Sequence, residues 1–138
     1  MDIRTYDYLP SEAMDIRRRV FVDEQGFTDF PDDVDRIAVH ILLWDGDTAV
    51  ACARALPFGD GDYLVGRIAV LRERRGGGLG RLIVSAAEDA ARDRGASRLV
   101  VHAQKQAEGF YLSIGYSHFG DEDEVEGRAH LWMAKTLM

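Results

Sequence analysis

The sequence predicts an α/β (α+β) chain in which antiparallel hairpins lead into one strand–helix–strand unit. Three observations carry this. Asp45-Gly46 lies between two apolar runs and is a two-residue hairpin signal. Arg74-Arg75-Gly76-Gly77-Gly78-Leu79-Gly80-Arg81 joins a strand-like run, Tyr63 to Val70, to residues Leu79, Leu82, Ile83, Ala86, Ala87 and Ala90, which recur at helical spacing. Beyond that helix, Leu99-Val100-Val101 is a continuous apolar run, as a central strand covered on both faces requires.

Taken in order, Ile3 to Tyr6 reads as a short first strand. Ser11 caps a helix whose apolar side carries Ala13, Ile16 and Val20, with Met14 beside them. Arg17, Arg18 and Arg19 spread over its outer faces, and Gly26 stops it. Thr28 to Asp35, with Pro31 and several aspartates, reads as a loop. Arg36 to Trp44 alternates as a strand with Ile37, Val39, Ile41 and Leu43 on one face, and Thr48 to Leu56 returns antiparallel. Pro57 to Asp62 is a second turn before Tyr63 to Val70. The long helix ends near Arg94, with Gly95 as its cap. Ser97 to Ala103 then runs parallel to Tyr63–Val70 through a right-handed crossover. A short helix, Gln106 to Ser113, ends before Gly115. Tyr116 to Gly120 and Ala129 to Met133 form a last antiparallel pair, linked by the acidic stretch Asp121 to Glu126. Without repeats or a linker, residues 1–138 are expected to form a single domain.

The glycines at the strand-to-helix junction have chemical meaning. A helix start leaves about four N–H groups unpaired at the positive end of its dipole. A phosphate can approach closely where no Cβ stands in the way. A Walker loop needs Gly-Lys-Ser/Thr, and here the chain reads Gly80-Arg81-Leu82. The dinucleotide fingerprint fails too: its third glycine would fall on Arg81 or Ile83. What remains is Arg-x-x-Gly-x-Gly, filled by Arg75, Gly78 and Gly80; the alternative is a plain glycine-rich turn.

Composition narrows the function classes. A formal charge of −7 argues against general nucleic-acid binding, and no apolar run approaches a membrane span. The N-terminal residues lack a signal-peptide core. The one cysteine, Cys52, excludes an intrachain disulfide, which fits a cytoplasmic location; between Ala51 and Ala53 it reads as a small buried hydrophobe. Asp121 to Glu126 lacks the ligand spacing of a calcium loop, and no metal site is expected.

Several motifs together resemble the GNAT superfamily of N-acyltransferases. "RIAVLRERRGGGLG" resembles its motif A and "AQKQAEGFYLSIGY" its motif B, while "VFVDEQGF" and "EGRAHLWM" resemble the narrower ElaA-like branch. The tripled glycine departs from the family's usual loop. The resemblance implies a GNAT fold: a mixed, mostly antiparallel sheet of six to seven strands, with a central splayed parallel pair and about four flanking helices. It also implies an N-acetyltransferase that takes acetyl-CoA as cosubstrate. The acceptor would be a primary amine of a small molecule or peptide, the partners would include neither nucleic acid nor membrane, and the protein would be a monomer or homodimer.

Site residues follow from the same resemblance. Ile68, Ala69 and Val70 would offer backbone to the pantetheine arm, with an N–H near Val70 polarising the thioester oxygen. Arg75, Gly76, Gly77, Gly78, Leu79, Gly80 and Arg81 would hold the pyrophosphate, and Gln104 and Tyr111 complete the cofactor set. Tyr111 is the candidate general acid; the alternative is a core aromatic beside Phe110. Glu24 and His130 are candidate bases on the acceptor side, against readings as a helix-end charge and a core histidine. Asp33 and Asp35 either face a cationic acceptor or lie in a solvated loop. Asp121 to Glu126 reads as solvated, with Glu126 nearest the site. A non-catalytic acyl-CoA-binding or sensory module is the competing function.

Overall fold

The computed structural model describes residues 1–28 and 31–137; part of the expected Thr28–Asp35 loop lies outside them. The strands are β1 (Asp2–Tyr6), β2 (Val39–Asp45), β3 (Thr48–Pro57), β4 (Asp62–Val70), β5 (Arg98–Gln104), β6 (Ser117–His118), β7 (Asp123–Val125) and β8 (Arg128–Thr136). They form one sheet in the order β1-β2-β3-β4-β5-β8-β6, with β7 also paired to β8. Every pairing is antiparallel except β4 with β5. Six to seven strands were expected; the sheet has eight among the described residues. Part of the difference is β7, drawn from the acidic stretch read as a solvated link. Glu126 and Gly127, both at positive φ, turn the chain so that Asp123–Val125 pairs back onto β8.

The helices are α1 (Ser11–Arg17), α2 (Leu79–Asp93) and α3 (Glu108–Ser113). α1 continues as a π-helical segment, Arg18–Glu24, before Gly26 turns it at φ 78°. The sheet is covered on both faces. On one, Ile41, Leu43, Val65, Leu99 and Val101 pack under Ile83, Val84 and Ala87 of α2. On the other, Leu42, Cys52 and Ala69 meet Ala13, Ile16 and Val20.

Three expectations fail for one reason, a buried ion-pair cluster. Arg17 is not on an outer face: it is 1% exposed, with Nη1 3.1 Å from Asp35 Oδ1. Asp35 is buried as well, neither in a solvated loop nor facing an acceptor, and Arg54 Nη1 reaches it at 2.8 Å. Asp33 lies outside the cluster and pairs at the surface with Arg36. Asp32 and Asp35 each accept a hydrogen bond from the other's backbone N–H, which winds Asp33–Arg36 into a 3-10 turn. The strand expected from Arg36 therefore starts at Val39, and Ile37 is exposed rather than on its core face.

Candidate active site

β4 and β5 pair only from Asp62↔Arg98 to Val65↔Val101. Beyond that point β4 carries one extra residue relative to β3, since Cys52 faces Ala69 while Arg54 faces Gly66. The extra residue is a bulge at Arg67, whose φ is 51°. A bulge bends its strand, and here the two parallel strands part. The space between them is a cleft of about 820 Å³. Its walls are Gly66–Val70 on β4, Val101–Gln104 on β5, Val20 and Phe21 on the π-helical segment, and the start of α2. The β4 backbone that has left β5 is paired only with β3 among the described residues, which leaves its inner edge for an added chain.

The glycine loop closes one end. Gly76 and Gly78 sit at φ 85° and 81°, and Gly78 is the N-cap of α2, so the first N–H groups of a 15-residue helix open toward this space. Gly80 has a different reason. It lies inside the helix, and a Cβ there would stand 3.4 Å from the Phe110 ring. Arg75, Gly76, Gly78, Leu79, Gly80 and Arg81 line the cleft, whereas Gly77 does not.

Tyr111 of α3 lines the same cleft and is 6% exposed. Its ring packs edge-on against Phe110 and Tyr116. The phenol has no hydrogen-bond partner among the described residues, and burial pushes its pKa above the ordinary value. A proton is therefore held on that oxygen across the neutral range.

Glu24 is placed elsewhere. Its carboxylate makes a two-point ion pair with Arg75, at 2.5 and 2.8 Å, and it borders a shallow groove with Arg19, Asp23 and Arg72. Hydrogen bonding to Arg75 holds its pKa below the usual carboxylate range. A carboxylate that lies outside the cleft and is committed to a guanidinium is a poor base, and that role is withdrawn. Arg75 is fixed further by Nε–H donation to the Val70 carbonyl at 3.1 Å.

The opposite end of the cleft is built from β5, β8 and the turn after β7. His130 lines it, 6% exposed, with Nδ1 donating to the Arg128 carbonyl at 2.8 Å. Phe27 packs edge-on to that ring and lies under the Arg128 guanidinium. Glu126 also reaches the cleft, its carboxylate accepting from the Thr28 N–H and hydroxyl at 3.1 Å. Gln104 lines it and donates to Gln25 at 2.9 Å. Sequence reasoning missed His102, which lines the cleft, stacks on Trp132 at 4.2 Å and lies 2.5 Å from Asp123. One signal was available: it is the first polar residue after Leu99-Val-Val, at the carboxyl end of a parallel strand where sites form.

A family model described as an acetyltransferase (GNAT) domain matches residues 33–137. A Bacillus subtilis protein named as an acetyltransferase is 37% identical over 128 residues, covering 89% of this chain and 86% of that protein. Among solved structures, one from Lactobacillus plantarum named as an N-acetyltransferase superposes with a TM-score of 0.91 at 27% identity, covering 99% of this chain and 98% of that one. Escherichia coli ElaA superposes at 0.85 with 26% identity, covering 97% and 98%.

Proposed function

Because the chain belongs to the GNAT acetyltransferase family, we propose that it transfers acetyl from coenzyme A directly to a primary amine of a small molecule or peptide. Acetyl-CoA is the family's cosubstrate. The observation that carries the reading is the parted β4–β5 pair with a helix N-terminus at one end of the gap and imidazoles at the other. Such a gap suits a long, anionic thioester and an amine arriving from the far end.

In this reading the residues divide the work. Gly76 and Gly78 to Arg81 hold the pyrophosphate through backbone N–H groups, with Arg81 adding charge. Ile68 to Val70 pair with the pantetheine arm, and an N–H near Val70 polarises the thioester oxygen. An imidazole at the far end takes the ammonium proton, which frees the lone pair that attacks the carbonyl carbon, and the second N–H proton leaves to solvent as the amide forms. The C–S bond breaks with its electron pair on sulfur, and Tyr111 donates the proton that neutralises it. A lysine-like amine, with a reference pKa of about 10.4, is mostly charged at neutral pH, which makes the base necessary.

The experiment is calorimetry with CoA, followed by thiol release from acetyl-CoA with a panel of primary amines. Tight CoA binding with amine-dependent thiol release is expected. CoA binding with no release for any amine would favour a non-catalytic module; no CoA binding would sink the reading outright.

A further inference from the structure

Two imidazoles face the acceptor end of the cleft, and the sequence motifs pointed to only one. Their rings lie 4.9 Å apart, tilted by 45°. Their hydrogen bonds fix opposite tautomers. His130 spends its Nδ1–H on the Arg128 carbonyl, leaving Nε2 with the lone pair. His102 spends its Nε2–H on the Asp123 carboxylate, leaving Nδ1. Each ring can therefore accept one proton, and their partners decide which does so better.

Accepting a proton makes an imidazolium. At His102 that charge forms against the carboxylate of Asp123; at His130 it forms against a neutral carbonyl. A carboxylate stabilises the cation and holds the ring in the productive tautomer, and a peptide oxygen does much less of the first. Exposure points the same way. His102 is only partly buried, so its proton can pass on to water, whereas His130 is buried. The ring is held rigidly, stacked on Trp132 with planes 13° apart. Asp123 is ionised when needed, since the hydrogen bond from His102 keeps its pKa below the usual range. The titratable groups packed on His102 are Asp123 from β7 and His130 from β8; Arg67 of β4 and Glu126 face the same cleft.

We propose that His102, paired with Asp123, is the general base of the acetyl transfer, with His130 forming the wall beside it. The inference rests on the acetyltransferase reading above. The ammonium gives its proton to His102 Nδ1, the freed lone pair forms the C–N bond, and a second N–H proton leaves to solvent as the amide forms. The C–S electron pair stays on sulfur and is protonated from Tyr111, the Tyr111 phenolate regains a proton from solvent, and His102 returns its own proton to solvent.

The test is the pH dependence of kcat/KM with the best amine from a panel of polyamines, arylalkylamines and peptide N-termini. The wild type is compared with His102→Gln, Asp123→Asn and His130→Gln. His102→Gln is expected to lower kcat by about 10²- to 10³-fold, within the usual range for a general base, with CoA affinity and melting temperature held. Asp123→Asn keeps the ring but removes the charge that stabilises its cation, so the acidic limb should move to lower pH. His130→Gln should cost less than about tenfold and leave that limb in place. Nitrogen chemical shifts of His102 supply a second readout: the Nε2–H tautomer in the wild type, lost in Asp123→Asn. Full kcat in His102→Gln, or a limb that moves only with His130→Gln, overturns the assignment while leaving the transferase intact. A wild type that binds CoA but acetylates none of the amines removes the transferase reading, and the base falls with it.

Discussion

Glu24 and Arg75, 51 residues apart, form a two-point ion pair that ties the end of the π-helical segment to the glycine loop. The same guanidinium donates to the Val70 carbonyl, so one arginine holds together helix, strand and loop. Arg75 is thus the residue expected to attract phosphate and already carries a competing anion. The side chains of the pair are 40% and 26% exposed, which keeps it in the range of about 0–1 kcal/mol typical of surface ion pairs.

Removing the competitor should favour the cofactor. Glu24→Gln is expected to tighten CoA binding at low salt by up to about fivefold, the equivalent of one such pair. The acceptor KM should not change, because Glu24 lies outside the cleft. Calorimetry at two salt concentrations checks the first statement and initial-rate kinetics the second. A raised acceptor KM with unchanged CoA affinity would restore Glu24 to the acceptor side.

The glycine loop makes a sharper prediction, because two of its glycines are needed for different reasons. Gly78→Ala puts a Cβ on a residue at φ 81°, costing about 1 kcal/mol of stability and crowding the phosphate approach. Gly80→Val instead pushes into the Phe110 ring, where even a Cβ stands only 3.4 Å away. Both should weaken CoA binding by at least about tenfold, a change of about 1.4 kcal/mol. Only Gly80→Val should also alter the packing around α3, seen as a change in near-ultraviolet dichroism. A folded Gly78→Ala protein with unchanged CoA affinity would argue against the loop as a phosphate site.

Much of this was legible in the sequence, and the boundary has a physical meaning. Element order followed from local signals: Asp45-Gly46, the helical spacing after Gly78, and Leu99-Val-Val. What failed was set by partners far along the chain. Arg17 on a helix reads as a surface charge until Asp35, which also pairs with Arg54, is brought against it. Glu24 reads as a helix-end acid until Arg75 arrives. The acidic β7 has poor strand propensity and forms because the Glu126-Gly127 turn returns it to β8. His102 carries little signal beyond its place after Leu99-Val-Val, because the Asp123 carboxylate that pairs with it lies 21 residues further along the chain.

Tyr111 separates packing from chemistry by one atom. Tyr111→Phe keeps the ring contacts with Phe110 and Tyr116 and removes a hydroxyl that has no hydrogen-bond partner among the described residues. Stability and CoA affinity should change little. If the phenol protonates the departing sulfur, kcat should fall by roughly 10²-fold. Single-turnover measurements that isolate the chemical step are the check, and an unchanged rate there would leave Tyr111 as a core aromatic.

The last prediction concerns acid stability and Asp35. Burial by itself would raise its pKa, but hydrogen bonds from Arg54, the Asp32 N–H and Arg17 outweigh that and lower it to about 2, from 3.8 for the free group. A folded-state pKa below the unfolded value means that the unfolded chain binds the proton more readily. The stabilisation is therefore complete above about pH 4 and is lost as pH falls toward 2. Over that window it amounts to about 2 kcal/mol, at 1.36 kcal/mol per unit. Asp35→Asn should cost more, about 3–5 kcal/mol, because Arg17 and Arg54 keep their charges in a buried site without a full counter-ion. It should also flatten the acid limb of stability between pH 4 and 2, since the titrating group is gone. Urea unfolding at a series of pH values measures both. A variant that loses stability at neutral pH yet keeps the wild-type acid slope would show that other carboxylates set that slope.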